Sequence, residues 1–232
     1  MTETKTFVIT GTTSGLGLAL TRELLRKGHC VHGCGRREDP LGKETGQAGR
    51  NGSYTYRQLD IMDYDALCAW ATEMEETGRP VDVLIHNAAV IHENANLWEI
   101  DRGALKAVVD INIMGTFNVL QAFLPQMLQA GHGMIITLSS GAGRSGIGSI
   151  SGYCASKWAV EGLTKSLANE LPKGMAAIPL SPGIVDTPML RTNFGDTAAN
   201  YQKADAWAKV AAPFILSLKT SRNGESLTVP ES

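Results

Sequence analysis

Residues 6–10, Thr-Phe-Val-Ile-Thr, make a short β-rich apolar run that passes without a linker into Gly11, Gly15 and Gly17 and an amphipathic stretch over 18–27. Strand, glycine turn and helix in direct succession constrain the fold more than any other feature. Such a unit needs further strands beside it and helices to cover both sheet faces. The chain supplies them: strand-like runs recur at 30–35, 54–59, 81–86, 134–138 and 175–180, with a short one at 226–229. Between them lie helical patterns. Asp63 caps one carrying Leu67, Trp70, Ala71 and Met74, which Gly78 and Pro80 end. Another spans 104–127 with Pro125 near its end, a third spans 151–171 with Leu163, Leu167 and Leu171 on one stripe, and a last spans 206–218. Residues 36–52 are too polar and glycine-rich for a helix and read as a loop. The pattern predicts one α/β domain over residues 1–232, a doubly wound parallel sheet with right-handed crossovers in three α/β/α layers.

A length of 232 residues suits one large α/β domain with a sizeable core. The net charge of -2, from 21 basic and 23 acidic residues without a basic run, gives no nucleic-acid footprint and no membrane-surface patch. No apolar run is expected to serve as a membrane span, and residues 1–5 lack the apolar core of a signal peptide. Cys30, Cys34, Cys68 and Cys154 lack paired ligand spacing, so they read as small buried residues rather than zinc ligands. No metal site is expected, and a reducing cytoplasm is the expected location. Cys154 stands beside Tyr153 at a helix start, where a thiol can be acidified.

The turn from Gly11 through Thr13, Ser14, Gly15 and Leu16 to Gly17 lets helix N-terminal N–H groups face a pyrophosphate, with glycines where a side chain would block the approach. A glycine turn alone is also ordinary loop chemistry. Tyr153 and Lys157, four apart on a helix, point the same way. The ammonium then favours the phenolate, drawing the tyrosine down from its usual value of about 10 toward the pH of acid/base catalysis. Ser139 and Ser140 close an apolar run, and either could hold the oxygen being protonated or simply cap the strand end. A tyrosine and a lysine at this spacing occur on many surface helices. Joined to the glycine turn, they point to hydride transfer.

These motifs, in this order, make the chain resemble the short-chain dehydrogenase/reductase family over nearly its whole length, which implies a Rossmann-type fold. Residues 10–17 match the family's cofactor turn, and Asp60 with Ile61 its adenine-contacting position. His86, Asn87, Ala88 and Ala89 match its Asn-Asn-Ala-Gly segment, with His86 and Ala89 departing from it. Pro182, Gly183, Val185 and Thr187 match the segment that meets the nicotinamide, although Thr187 before Pro188 is also an ordinary helix start. The resemblance selects Ser140 over Ser139, makes Tyr153 the acid/base, and gives Lys157 a second role on the nicotinamide ribose. It also makes Asn112 the anchor of a water that links the lysine to solvent. Phenol and serine supply the polarisation, so no metal is implied. Two helices, those of Asn112 and Tyr153, are implied to pair in a homodimer or homotetramer, with Ala107, Met114, Val119 and Phe123 as interface candidates.

After the second strand the run is Gly35, Arg36, Arg37, with no carboxylate to accept from a ribose hydroxyl and two guanidiniums able to pair a 2′-phosphate. NADP(H) is therefore expected over NAD(H), with Arg36 the first candidate and two solvated arginines the plain alternative. Substrate choice is expected in 141–152 and in a short lid over 184–207. The lid holds Met189, Leu190, Phe194, Tyr201 and Trp207 beside Asn193 and Asp196, residues that equally suit packing of lid onto body. Within the family, the runs at 139–146, 153–162, 193–195 and 223–229 make mainly the C-terminal half resemble the plant pterin aldehyde reductases. The expected activity is NADPH-dependent reduction of a small aromatic or pterin-like aldehyde. A general or 3-oxoacyl carbonyl reductase and a non-catalytic NADP(H)-binding regulator are the alternatives.

Overall fold

In the computed structural model, residues 3–42 and 52–231 are described. Along the chain run β1 (Thr6–Thr10), α1 (Gly15–Arg26), β2 (Cys30–Gly35), β3 (Tyr54–Gln58), α2 (Tyr64–Glu76) and β4 (Val83–His86). Then come α3 (Arg102–Val109), α4 (Gly115–Ala130), β5 (Gly133–Leu138), α5 (Ser151–Glu170) and β6 (Met175–Ser181). The C-terminal part holds β7 (Val185–Asp186), α6 (Pro188–Phe194), β8 (Gln202–Lys203), α7 (Ala204–Ser217) and β9 (Leu227–Thr228). Seven strands form one parallel sheet in the order β3-β2-β1-β4-β5-β6-β9.

Strand alternation decides the layering. Phe7 and Ile9 of β1 join Leu20 and Leu24 of α1 and Trp207 and Ile215 of α7 in one core. Val8, between them, joins Leu67, Trp70, Phe123 and Leu167 of α2, α4 and α5 in the other. Trp70 and Phe123 meet edge to face at 5.0 Å. Because β2 and β4 flank β1 on opposite sides, the winding reverses there, and the crevice outside the strand ends is where such a sheet binds ligands.

Several boundaries differ from the expected ones. β4 starts at Val83 rather than 81, although Val81 is still buried below it. The helix expected as continuous over 104–127 starts at Arg102, with the Asp101 carboxylate accepting from Ala104 N at 2.8 Å, and runs to Ala130. A π-helical turn over Asp110–Met114 interrupts it. Such turns place one extra residue in the helix and often mark functional sites. By length and composition alone the helical stretch Arg102–Ala130 could cross a membrane, one 18-residue segment of it reaching a mean hydropathy of 1.4, although no run of that kind was expected from the sequence. Its Val119, Phe123 and Met127 are instead core of the sheet face. A two-stranded ladder of β7 and β8 beside the lid was not expected. Residues 36–42 form neither helix nor strand, as expected of the loop, whose remainder over 43–51 lies outside the described residues.

Candidate active site

The glycine turn is held from both sides. Gly11 has φ +74°, and a Cβ on Gly17 would lie 2.2 Å from the Gly11 carbonyl oxygen and 2.5 Å from Asn87 Nδ2. Asn87 Nδ2 donates to the carbonyls of Thr10 (2.9 Å) and Gly11 (3.0 Å). Thr10 Oγ1 accepts from the N–H groups of Asn87 and Ala88, each at 3.1 Å, so its own proton goes to His86 Nδ1 at 3.0 Å. Burial, with Lys157 nearby, pushes the His86 imidazole down to about 3. This departure from the family pattern is therefore a neutral strut under the turn. Ser14, the N-cap of α1, makes no side-chain cap bond, and the first turn carries no acid. The N–H groups there are left for an anion.

The turn forms one wall of a cleft of about 1120 Å³. Along it lie the expected Gly11, Thr13, Ser14, Gly15, Leu16, Arg36, Arg37, Asp60, Ile61, Asn87, Ala88 and Ala89. Farther along are Ser140, Tyr153, Lys157, Pro182, Gly183, Val185 and Thr187. Two expected residues, Gly17 and Asn112, do not line it. Gly17 acts through helix packing. Thr187 is also the N-cap of α6, where its Oγ1 accepts from Leu190 N at 3.1 Å, which is the ordinary helix-start role.

Tyr153 and Lys157 lie on one face of α5, with the ammonium 5.7 Å from the ring centroid. Lys157 Nζ donates to the Leu138 carbonyl at 2.7 Å. Here the electrostatics correct the sequence expectation. Burial, only partly offset by hydrogen bonding with Ser140, pushes the Tyr153 phenol up to about 12 rather than down. Burial pushes Lys157 down to about 8. Ser140 Oγ accepts from Ala142 N at 3.2 Å at the start of a short 3₁₀ turn, while Ser139 Oγ donates to Glu161 Oε1 at 2.6 Å, away from the tyrosine. Geometry thus separates the two serines.

Asn112 sits in the π turn, where its Oδ1 accepts from Val90 N (2.8 Å) and its Nδ2 donates to Val90 O (2.9 Å) and Ser156 Oγ (2.9 Å). Ser156 in turn donates to the Tyr153 carbonyl at 2.7 Å. Asn112 therefore reaches the tyrosine through the helix backbone. Ser156 was missed by sequence reasoning, although its place between Tyr153 and Lys157 is a local signal. Also missed was a buried hub at Glu161, which accepts from Ser139, from Arg144 Nε (2.8 Å) and from Ser226 Oγ (2.5 Å), tying β5, α5 and the C-terminal segment together.

The lid is built differently from expectation. Trp207 is fully buried in the α1/α7 core, its Nε1 donating to Pro182 O at 2.9 Å. Tyr201 meets Phe194 edge to face at 5.8 Å but does not line the cleft, and Asp196 is exposed away from it. The expected lid residues Met189, Leu190 and Phe194 do line the cleft, together with apolar residues such as Ile91 and Ile147. Asn94 and Asn193 bridge the loop after β4 to α6, each amide donating to the other residue at 2.8 Å. Asp186, gripped by Arg191 at 2.8 and 2.9 Å and by Lys203 at 2.6 Å, fastens the lid base.

Residues 5–198 match the short chain dehydrogenase family. With the fold and cleft described above, this chain belongs to that family of oxidoreductases. It is 40% identical over 226 residues to the NADPH-dependent pterin aldehyde reductase of Arabidopsis thaliana, covering 97% of this chain and 93% of that protein. It is 34% identical over 184 residues to 2-dehydro-3-deoxy-L-rhamnonate dehydrogenase (NAD(+)) of a Sphingomonas species, covering 79% of this chain and 73% of the relative. Among solved structures, an alcohol dehydrogenase from the archaeon Thermococcus sibiricus, complexed with 5-hydroxy-NADP, superposes with a TM-score of 0.85 at 27% identity, covering 99% of this chain and all of that one.

Proposed function

We propose that this chain is an NADP(H)-dependent carbonyl reductase acting on a small aromatic, pterin-like aldehyde, with Tyr153 as proton donor. The observation that carries the reading is that Ser140, Tyr153 and Lys157 share one cleft with the glycine turn. The residues fit the cofactor: the uncapped start of α1 suits a pyrophosphate, and Arg36 and Arg37 stand at the cleft where a 2′-phosphate would be read. The similarity to a relative named for NADPH supports that choice, and the relative named for NAD(+) makes the two arginines the feature to test. Asp60, Ile61 and residues 87–89 would flank the adenosine half. Gly183, Val185, Thr187 and Lys157 would flank the nicotinamide half.

The bound cofactor supplies the hydride for the carbonyl carbon. Tyr153, held as a neutral phenol by burial, gives its proton to the carbonyl oxygen. The Ser140 hydroxyl holds that oxygen, and the Lys157 ammonium stabilises the phenolate left behind. Asn112 positions Tyr153 through Ser156 rather than touching the reacting atoms.

A flat heteroaromatic aldehyde suits the apolar cleft residues Ile91, Ile147, Met189 and Phe194, with the two asparagines also lining the cleft. The experiment is a carbonyl panel with both cofactors. Aromatic aldehydes are expected to show a higher kcat/KM than aliphatic aldehydes of similar size, because the ring helps place the carbonyl at Tyr153. A clear preference for aliphatic or acyl thioester substrates would overturn the substrate reading and leave the reductase standing.

A further inference from the structure

On the edge strand β3, Tyr54, Tyr56 and Gln58 alternate with Thr55 and Arg57 and so project from one side of the sheet. All three side chains reach the loop that follows β2. Tyr56 Oη shares its one proton between the carbonyl of Gly35, at 2.9 Å, and that of Arg37. Gln58 Nε2 donates to the Arg36 carbonyl at 2.9 Å. Tyr54 Oη donates to Asp39 Oδ1 at 3.1 Å, and the same carboxylate oxygen accepts from Leu41 N at 2.9 Å. The backbone carbonyls of residues 35, 36 and 37 thus all face donors on β3, Gln58 serving the middle one while the single Tyr56 proton is shared between the outer two. Residues 36–41, which form neither helix nor strand, are thereby fixed in place.

The fixation bears on the two arginines. Gly35 packs so closely that a Cβ there would lie 2.8 Å from Thr13 Cγ2 and 3.2 Å from Tyr56 Oη, which sets the direction in which the chain leaves β2. From that fixed start the Arg37 guanidinium donates to Ser14 Oγ at 2.8 Å, and Arg36 Nη1 lies 3.9 Å from Asp60 Oδ2. Both side chains therefore stand at the cleft rim in defined directions. Burial pushes the Tyr56 phenol up to about 12, so it remains a donor at neutral pH.

We infer that Tyr56 and Gln58 are positioning residues for cofactor choice: by clamping the carbonyls of residues 35–37 they preorganise Arg36 and Arg37 to grip a 2′-phosphate. The inference rests on the reading of Arg36 and Arg37 as the 2′-phosphate site. Neither residue lines the cleft. Each reduces the ordering that the arginine loop would otherwise undergo on binding.

The test is calorimetric binding of NADPH, NADH and the fragment 2′,5′-ADP to wild type, Tyr56→Phe, Gln58→Ala and the double variant. Tyr56→Phe removes only the hydroxyl, and Gln58 is exposed, so both substitutions leave the cores intact. Loss of one such hydrogen bond is expected to weaken NADPH and 2′,5′-ADP about fivefold. The double variant should weaken them by about tenfold or more, with NADH changed less than about twofold. Equal losses for NADPH and NADH, or no loss in the double variant, would overturn the inference. Arg36→Ala separates this from the cofactor reading. If Arg36→Ala abolishes the NADPH preference while Tyr56 and Gln58 do not alter it, only the positioning role falls. If wild type shows no NADPH preference, the arginine reading and this inference fall together.

Discussion

Tyr153 and Lys157 are one helical turn apart, and burial drives them apart on the pH scale: the phenol up to about 12, the ammonium down to about 8. In both cases the charged form is disfavoured, the general consequence of leaving water. A phenol that keeps its proton is suited to donate it. The lysine must keep its charge to stabilise the phenolate, and its depressed value means the charge is present below about 8 and lost above. Reductase kcat/KM, which reports the free enzyme, is therefore expected to fall as pH rises through about 8. A profile flat to pH values near the ordinary lysine range would show that Lys157 is not desolvated as described. The Tyr–Lys pair was legible as a motif, because spacing alone puts both residues on one helix face. The direction of the tyrosine's shift was not, since it depends on how much of α5 the sheet and loops cover. His86 was likewise visible as a departure, but its neutral strut role required knowing that Thr10 faces it across β1 and β4.

At the scale of elements, the strands and most helices were readable because apolar runs and amphipathic periods repeat in a fixed order. The π turn was not. Nothing in residues 110–114 differs locally from helix, and the turn is held by tertiary contacts from Asn112 to Val90 and Ser156. The lid was misjudged for a related reason. An aromatic at the start of a helix looks the same from sequence whether it faces a cleft or the core. α7 begins at Ala204, two residues before the expected start, and rotates Trp207 under Pro182. Trp207→Ala is therefore expected to cost roughly 3–5 kcal/mol of stability, the usual range for a large aromatic removed from a core. Chemical denaturation measures this. Unchanged stability with a selectively raised KM for the aldehyde would restore the lid role. Arg144 and Glu161 carry no local sequence signal because their partners Ser139, Ser226 and Thr228 come from distant segments.

At the scale of the whole molecule, two of the four interface candidates, Val119 and Phe123, are core residues. Apolar groups left exposed on the same helical layer include Val109, Met114, Phe117, Leu128 and Trp158. That much exposed apolar surface on one layer is expected to be covered by a second copy of the chain, giving a homodimer or homotetramer. Light scattering at micromolar concentration tests this, and a strictly monomeric, fully active protein would refute it. The sheet order, the reversal of winding at β1 and the position of α5 together bring the glycine turn and Tyr153 to one cleft. The most direct test of the proposed proton transfer there is carbonyl-dependent NADPH oxidation by wild type and Tyr153→Phe, alongside NADPH binding to each. A transition-state interaction is deleted without a ground-state one, so the variant should bind NADPH nearly as wild type does and lose most of its kcat. A folded Tyr153→Phe protein that turns over at close to the wild-type rate would contradict the account.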